Sequence, residues 1–187
     1  MTKAELRKKY ILLRAQLSAS EKIDSSLNIA NNLLELPIWH THSFHVFLSI
    51  DKFNEVNTEP IMSILHGKDK NIVVSKSNLK DQTMRHYLLT DNTKIEVNSW
   101  SIPEPVDGIE LNISEIDVVI VPLLAFDKHG QRVGYGKGYY DKFLSSCRPD
   151  TLKIGVSFFE SEDLIKDHHV QDVALNYCVT PKGIYRF

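Results

Sequence analysis

Residues 117–146 read DVVIVPLLAFDKHGQRVGYGKGYYDKFLSS, and this stretch decides the fold. Its first five residues, 117–121, are almost wholly apolar, which predicts a strand that is covered on both faces. Pro122 ends that strand, because proline has no N–H group to donate to a neighbouring strand. Four of the chain's eight glycines lie between positions 130 and 138, and a helix is expected over residues 138–146. Open α/β sheets bind ligands at the carboxyl ends of such strands.

The glycine loop itself predicts an anion site. Three glycines alternate with other residues there: Gly134, Gly136 and Gly138. Glycine allows a positive φ, so successive N–H groups can converge on an anion, and the helix that follows would point its positive end the same way. Arg132 and Lys137 add positive charge, and Asp141 could serve a metal ion. We predict that the loop holds the phosphates of a nucleotide; the alternative is a glycine-rich turn without a ligand. The spacing matches neither a P-loop nor a dinucleotide fingerprint.

The composition is ordinary for a soluble globular protein: 187 residues, 42% hydrophobic, 25% charged and a net charge of −2. This length predicts one domain over residues 1–187. The charge gives no reason to expect a nucleic-acid partner. No apolar run reaches the roughly 18–20 residues that span a membrane, and the charged N-terminus lacks the apolar core of a signal peptide. We therefore expect a cytoplasmic protein with no membrane partner, in which Cys147 and Cys178 are reduced structural thiols.

Three helices are predicted before the central stretch. Apolar residues recur at helical steps over residues 2–17, at Leu6, Tyr10, Leu13 and Leu17. Ser18 and Glu21 have the spacing of a capping box and begin a second helix, which Pro37 ends. Its expected apolar face is Ile23, Leu27, Ala30 and Leu34. A third helix is capped by Thr58, has Pro60 in its first turn and ends at Gly67.

The predicted strands are residues 43–50, 71–75, 84–90, 117–121, 153–158, 177–180 and 184–187. Residues 76–82 are expected to form a loop, and residues 91–115 lack clear periodicity but contain a rigid, extended segment at 102–105. A strand, a helix and a second strand in succession imply parallel pairing with a right-handed crossover. We predict an α/β fold of three layers, in which helices cover both faces of a mostly parallel central sheet.

Several further residues have an ordinary and a functional interpretation. Lys3, Arg7 and Arg14 share one face of the first helix; this is either a solvated basic face or a face of which one end reaches an anionic ligand. Trp100 lies in a proline-rich irregular segment, and it either packs in the core or stacks on a planar ligand. Glu55 follows a strand end, where a carboxylate is either solvated or in contact with a ligand.

The histidines near the C-terminus do not predict a metal site. His168 and His169 are adjacent, and adjacent side chains on an extended segment point to opposite sides. They cannot easily share one ion. Asp172 remains a candidate for a carboxylate near magnesium-bound phosphate.

These motifs together resemble the signature of the 5-formyltetrahydrofolate cyclo-ligase family, also called methenyltetrahydrofolate synthetases. The clearest match is residues 121–141, VPLLAFDKHGQRVGYGKGYYD. Further matches follow the family's order at residues 3–7, 17–18, 54–58, 100–105, 171–172 and 179–180. Several motifs in the right order are far more specific than any one of them.

The resemblance implies a ligase that closes 5-formyltetrahydrofolate to 5,10-methenyltetrahydrofolate. It implies ATP as co-substrate, a requirement for Mg²⁺, release of ADP and phosphate, and a phosphorylated formyl group (an iminium phosphate) as the intermediate. The expected partners are small-molecule substrates, and the expected assembly is a monomer or a weak homodimer.

The resemblance also implies residue roles. The catalytic residues would be Arg132, Lys137 and Tyr140. ATP would be bound by Lys3, Arg7, Arg132, Gly134, Tyr135, Gly136, Lys137, Gly138, Tyr139 and Tyr140. The folate would be contacted by Ile50, Glu55, Trp100, Tyr135, Gly136, Lys137, Gly138 and Tyr139. Mg²⁺ would be held by Asp141 and Asp172, directly or through water.

Two other functions remain open from the residues alone. The first is a phosphate-binding enzyme on a related α/β fold, such as a sugar-phosphate isomerase or an acyl-CoA transferase relative, which would not hydrolyse ATP. The second is a non-catalytic module that binds a nucleotide or a folate. ATP-dependent formation of the methenyl chromophore would distinguish the ligase from both.

Overall fold

A computed structural model describes residues 1–78 and 80–187. Its helices are α1 (Lys3–Gln16), α2 (Ala19–Leu33), α3 (Glu59–Gly67) and α4 (Tyr139–Ser145). Its strands are β1 (Ser43–His45), β2 (Asn71–Asn78), β3 (Thr83–Leu88), β4 (Ile95–Val97), β5 (Pro103–Pro105), β6 (Glu110–Leu111), β7 (Val118–Pro122), β8 (Ala125–Phe126), β9 (Arg132–Val133), β10 (Leu152–Val156), β11 (Tyr177–Thr180) and β12 (Gly183–Arg186). None of the helices in the described ranges is both long enough and apolar enough to cross a membrane.

Eight of the strands form one sheet, in the order β12-β11-β10-β7-β1-β2-β3-β6. The five strands from β11 to β2 run parallel, and antiparallel strands complete both edges. β1, α3 and β2 make the expected parallel crossover unit. The predicted α/β architecture with a mostly parallel central sheet is confirmed.

Helices cover both faces of the sheet. Alternate residues of β7 point to opposite faces, as in any strand. Val118 and Ile120 pack with side chains of α2 and α3, whereas Val119 and Val121 pack with Phe143 of α4. The expectation of a three-layer arrangement is therefore correct, and its physical origin is the apolar sequence of β7, which has no polar face.

α1 lies outside these layers and covers the small antiparallel β8–β9 hairpin, which the sequence did not predict. Leu6 and Tyr10 of the helix pack against Leu124, Ala125 and Val133. Thr2 and Glu5 form a capping box that begins the helix. This packing brings α1 beside the glycine loop, because the loop follows β9 directly.

The predicted buried face of α2 is wrong. Ile23 and Leu27 are 56% and 46% exposed, and Leu34 is also exposed, so that of the four predicted residues only Ala30 is buried. The helix instead buries Ile29 and Leu33 together with Ala30. The sequence has two apolar stripes on this helix. The sheet selects the one that continues into Leu36 and Ile38, which join the same core.

Two predicted segments also differ from the structure, and a third is confirmed. The strand predicted at 43–50 is ordered as a strand only over Ser43–His45, because the chain leaves the sheet for a 3-10 turn at Asp51–Phe53. The predicted loop at 76–82 is largely wrong, since β2 continues to Asn78 and pairs with β3; Leu79 of that range lies outside the described residues. The extended segment at 102–105 is confirmed as β5, which pairs with β4.

Candidate active site

The glycine loop lies at the carboxyl end of β7, between β9 and α4. Gly136 and Gly138 have φ of 83° and 76°, which glycine adopts without strain. Gly134 does not have a positive φ, so that part of the prediction is wrong. In the described part of the chain, no backbone N–H group from Tyr135 to Gly138 donates a hydrogen bond. These groups are free to bind an anion.

Arg7 of α1 lies across this loop. Its Nε donates to the carbonyl of Gly134 at 2.9 Å. A Cβ atom at Gly136 would come within 3.1 Å of the Arg7 guanidinium carbon, so a glycine is needed there for space as well as for φ. Lys3, one turn earlier, forms an ion pair with Asp172. The basic face of α1 therefore points at the loop, and the interpretation as a solvated face is wrong.

Lys137 is at the tip of the loop. Its side chain is exposed. Across residues 1–78 and 80–187 it makes no ion pair or side-chain hydrogen bond. α4 begins directly after the loop but has only seven residues, so its dipole adds less to the site than the sequence suggested. The positive charge of the loop comes mainly from Arg7 and Lys137.

Arg132 lies between Asp141 and the backbone next to Asp172, the two predicted metal ligands. It is only 7% exposed. Its Nη2 donates to Asp141 Oδ1 at 2.6 Å and its Nη1 donates to the carbonyl of Val173, next to Asp172. Burial lowers the pKa of Arg132, and the Asp141 carboxylate opposes that shift. Arg132 thus stands behind Asp141 and fixes it, rather than projecting into the loop.

Asp141 and Asp172 each keep one oxygen that no described residue contacts. Asp141 uses Oδ1 for Arg132 and for the Val173 amide, and Asp172 uses Oδ2 for Lys3 and for the His169 amide. Burial would raise the pKa of Asp172, but the bonds from Lys3 and His169 lower it below its ordinary value. Asp172 therefore stays an anion at neutral pH.

Carboxylate oxygens are, with water and phosphate, the ligands that magnesium prefers. No cluster of three or more His, Cys, Asp or Glu side chains fit to hold a metal occurs in the part of the chain that the structure describes.

Tyr139 and Tyr140 begin α4, and Tyr140 points inward. Its ring meets those of Phe143 and His45 edge-on, with centroids 6.1 Å away in both pairs. Burial raises its pKa, with the charge of Glu55 adding to the effect and that of Arg132 opposing it. Tyr140 is therefore neutral at physiological pH and acts as a hydrogen-bond donor or as a packed ring, not as a base.

A cleft of about 800 Å³ is lined by Glu55, and Tyr135 of the glycine loop packs on Phe53 in the turn that precedes Glu55. Its walls are the start of α2, residues 48–62 and the β4–β5 hairpin. Glu55 is 9% exposed, and its Oε2 accepts from the backbone N–H of Ile50 at 2.8 Å. Burial raises the pKa of Glu55, whereas the Ile50 amide, Tyr135 and the charge of Arg14 oppose that rise. The interpretation of Glu55 as a solvated loop carboxylate is wrong.

Trp100 is at the tip of the β4–β5 hairpin and is 62% exposed, so the alternative of core packing is wrong. Its backbone N–H donates to the Asn98 side chain. Glu104 holds the hairpin to the sheet by accepting from Asn98 and from the Ser77 amide. Ser101, the next residue, lines the cleft, so Trp100 follows directly on the cleft wall along the chain. A flat aromatic ring in this place can cover a planar ligand.

Arg14 is the residue whose importance the sequence did not show. It is on the predicted basic face of α1, but only 3% of it is exposed, and it contacts Tyr135 at the start of the glycine loop. Its position in the helix gave a signal, since it is the third cation on the face that Lys3 and Arg7 share. The burial of that face could not be read from the helix alone.

This arrangement defines an α/β protein in which a glycine loop with unpaired backbone amides among the described residues is overlaid by cations, and in which Tyr135 of that loop packs beside a cleft lined by a carboxylate. A sequence model of the 5-formyltetrahydrofolate cyclo-ligase family matches residues 1–176. The chain belongs to the 5-formyltetrahydrofolate cyclo-ligase family, and it is an enzyme of the ligase class.

Relatives and a solved structure agree with this assignment. The chain is 31% identical to the 5-formyltetrahydrofolate cyclo-ligase of Mus musculus over 78% of this chain and 72% of the mouse protein. It is 31% identical to that of Mycoplasma genitalium over 83% of this chain and 84% of that protein. The NMR structure of Aquifex aeolicus 5,10-methenyltetrahydrofolate synthetase superimposes with a TM-score of 0.84 at 30% identity, covering 100% of this chain and 93% of that one.

Proposed function

We propose that this enzyme uses ATP and Mg²⁺ to close 5-formyltetrahydrofolate to 5,10-methenyltetrahydrofolate. The observation that carries the proposal is the loop from Tyr135 to Gly138: its four amides have no described partner, it lies beneath Arg7, and its first residue packs on Phe53, two residues before Glu55 of the cleft. A site for phosphate and a site for a planar molecule would therefore lie next to each other at Tyr135. The family match and the named relatives support the folate substrate.

The chemistry explains why a phosphate donor is needed. The oxygen of a formamide is a poor leaving group. In the proposed reaction the formyl oxygen on N5 attacks the γ-phosphorus of ATP, the bond from that phosphorus to the β-bridging oxygen breaks, and ADP leaves. N10 then adds to the activated carbon, N10 loses its proton, and the carbon–oxygen bond breaks with release of phosphate.

The residues of the chain bind and orient in this reaction. The loop amides, with Gly134, would hold the phosphates, and Gly136, Lys137 and Gly138 would contact both substrates. Lys137 would stabilise the negative charge on the transferring phosphoryl group. Arg7 and Lys3 would close on the nucleotide from α1. Mg²⁺, when bound, would neutralise phosphate charge next to Asp141 and Asp172.

The folate would occupy the cleft with its planar pterin near Glu55. An ionised carboxylate can accept hydrogen bonds from the pterin's ring N–H and amino group. Ile50 fixes Glu55 through its amide. Trp100 of the β4–β5 hairpin and Tyr139 at the start of α4 would cover the rings of the substrate, and Arg132 with Tyr140 would hold the Asp141 side of the site.

The decisive experiment follows the absorbance of the methenyl product. The protein is mixed with 5-formyltetrahydrofolate and Mg-ATP, and parallel samples omit ATP or Mg²⁺. We expect a product signal only in the complete mixture, with one ADP released for each product molecule. Absence of ATP-dependent product would refute the proposed function. ADP release without product would favour a different phosphoryl acceptor.

Gly136→Ala should weaken ATP binding. An alanine at φ 83° is strained by about 1–2 kcal/mol, and its Cβ would push against the Arg7 guanidinium at 3.1 Å. We expect the KM for ATP to rise roughly tenfold, measured from initial rates at saturating folate. The matched control is Gly67→Ala, at the end of α3, where a Cβ meets nothing within 4 Å and φ is not positive. Equal KM values in the two variants would contradict the prediction.

A further inference from the structure

Arg14 is a buried cation whose contacts lead to the substrate cleft. Its Nη2 donates to the carbonyl of Leu123, and its Nη1 donates to the hydroxyl of Tyr135 at 2.9 Å. Its Nε is buried without a partner, and none of the recorded ion pairs among the described residues involves it. The ring of Phe158 lies 6.0 Å from the guanidinium carbon and offsets part of the desolvation.

A purely structural group at this place would not need a charge. Burying a guanidinium without a paired carboxylate is costly, and a neutral donor could serve the Leu123 carbonyl equally well. The free-energy cost of burying the Arg14 guanidinium is explained if it stabilises a nearby negative charge that the enzyme requires. Glu55 is that group, because the charge of Arg14 and hydrogen bonding by Tyr135 both lower its pKa against the effect of burial, and Arg14 contacts the same Tyr135 hydroxyl.

Tyr135 connects the two charged residues and has little freedom to move. Its ring packs on Phe53 with centroids 5.0 Å apart, and Phe53 belongs to the turn that precedes Glu55. Arg14 therefore fixes the direction of the Tyr135 hydroxyl, and the hydroxyl in turn acts on the carboxyl group that lines the cleft.

We propose that Arg14 is a positioning residue, which holds Glu55 as an oriented carboxylate through Tyr135 so that Glu55 can recognise the N–H donors of the substrate's pterin ring. This inference rests on the proposed function for the identity of the ring. It assigns to α1 a second task besides closing on the nucleotide: its first turns serve the phosphate side of the site, and its last turn serves the folate side.

Other charged groups near Glu55 do not replace Arg14. Tyr140 of α4 is neutral for the reason given above. The remaining ionisable groups that line the same cleft are Lys22 of α2, Asp51, Lys52 and Glu59. The Lys22 ammonium group donates to Asn54 at 2.7 Å, and Asp51 and Lys52 are exposed. Burial already raises the pKa of Glu55, so loss of the Arg14 charge should raise it further, toward neutrality.

The test compares Arg14→Gln, which keeps hydrogen-bond donors but loses the charge, with Arg14→Lys, which keeps the charge. The KM values for 5-formyltetrahydrofolate and for ATP are measured from about pH 6 to pH 8.5. In Arg14→Gln, the folate KM should be about tenfold above wild type at the acidic end and should approach it at the alkaline end, because a protonated Glu55 cannot accept both hydrogen bonds. The ATP KM should stay within about twofold, and Arg14→Lys should restore most of the folate KM.

Two further variants make the result specific. Glu55→Gln should have a high folate KM that does not change with pH, and adding Arg14→Gln to it should leave the pH profile flat. Tyr135→Phe should show the same acid-sensitive folate KM as Arg14→Gln, and this variant carries the test if Arg14→Gln does not fold. Equal rises in both KM values, with a pH profile parallel to that of wild type, would overturn the proposal, because they indicate a general structural defect.

The failure of this inference can be told apart from the failure of the proposed function. Wild-type enzyme without ATP-dependent product at any pH refutes the function. In that event the same pH comparison is made by calorimetric binding of 5-formyltetrahydrofolate alone. Acid-sensitive binding in Arg14→Gln but not in wild type still supports the role of Arg14, and absence of folate binding in all variants overturns it.

Discussion

Replacing Lys137 with alanine will lower kcat for ring closure by at least about 30-fold, because a charge-assisted contact to the transferring phosphoryl group contributes about 2–3 kcal/mol. The free energy of unfolding should change by less than about 0.5 kcal/mol, since the side chain is exposed. The two effects separate because the Lys137 side chain makes no ion pair or hydrogen bond in the described protein. The measurements are steady-state kinetics with saturating ATP and folate, and urea unfolding of both proteins.

Matched variants make this prediction sharper. Lys68→Ala removes another exposed lysine, next to the amino end of β2 and thus at the opposite edge of the sheet, and should leave kcat within about twofold of wild type. Lys137→Arg keeps the charge but changes its shape, so it should recover part of the loss. If Lys137→Ala retains turnover within about threefold of wild type, Lys137 has no transition-state role.

Local sequence patterns were sufficient for the parts of the fold that depend on local physics. The strand at Val118–Pro122 was predictable because it is apolar on both faces. α1 was predictable from apolar residues at helical steps, and α2 because a capping box marks its start. The crossover of β1, α3 and β2 followed from element order alone. The glycine loop was predictable from its composition, although which glycines have a positive φ was not.

The features that the sequence did not predict depend on contacts between segments that are distant in the sequence. The buried face of α2 was wrong because two apolar stripes competed and only packing on the sheet could choose between Ile23 and Ile29. The burial of Arg14 depends on the placement of α1 over the β8–β9 hairpin. Residues 76–78 at the end of β2 are polar and have the composition of a loop, and the sequence does not show that β3 pairs with them. The sequence could thus suggest candidate residues for the site, but it could not show which side chains those residues contact.

One group of buried polar residues could not be predicted from the sequence, because its members come from three neighbouring strands. His45 of β1 and His86 of β3 both contact Ser75 of β2, at 2.6 Å and 3.0 Å respectively. Both histidines are almost fully buried, and each has a second ring nitrogen without a partner. Burial lowers the pKa of His45 well below its ordinary value, with the neighbouring His86 adding to the effect. Burial also lowers the pKa of His86 to about 4.

This core will make the protein sensitive to mild acid. At about pH 7.5 both histidines are neutral in the folded and in the unfolded chain, so their protonation does not change the free energy of unfolding. Below about pH 6.5 the unfolded chain binds protons that the folded chain cannot, so stability falls by up to about 1.4 kcal/mol per pH unit for each histidine. Between pH 7.5 and pH 5 the two together should remove about 4 kcal/mol, and the loss continues toward the folded-state pKa of His86. Urea unfolding at several pH values measures it.

The same protonation should loosen α4 before the rest of the fold. Phe143 of α4 contacts both imidazole rings, with centroids 4.9 Å from His45 and 4.3 Å from His86, and Tyr140 and Asp141 lie on the same helix. A charged imidazole is unstable in this apolar core, so the packing of Phe143 on the two rings would break as the charge gains water. α4, which follows the glycine loop, would then lose its packing on the sheet. His86→Gln should therefore about halve the slope of stability against pH, and the double variant with His45→Asn should nearly abolish it, even if both variants are less stable at pH 7.5. A wild-type stability at pH 5 within about 1 kcal/mol of that at pH 7.5 would show that these histidines are not the source of acid sensitivity.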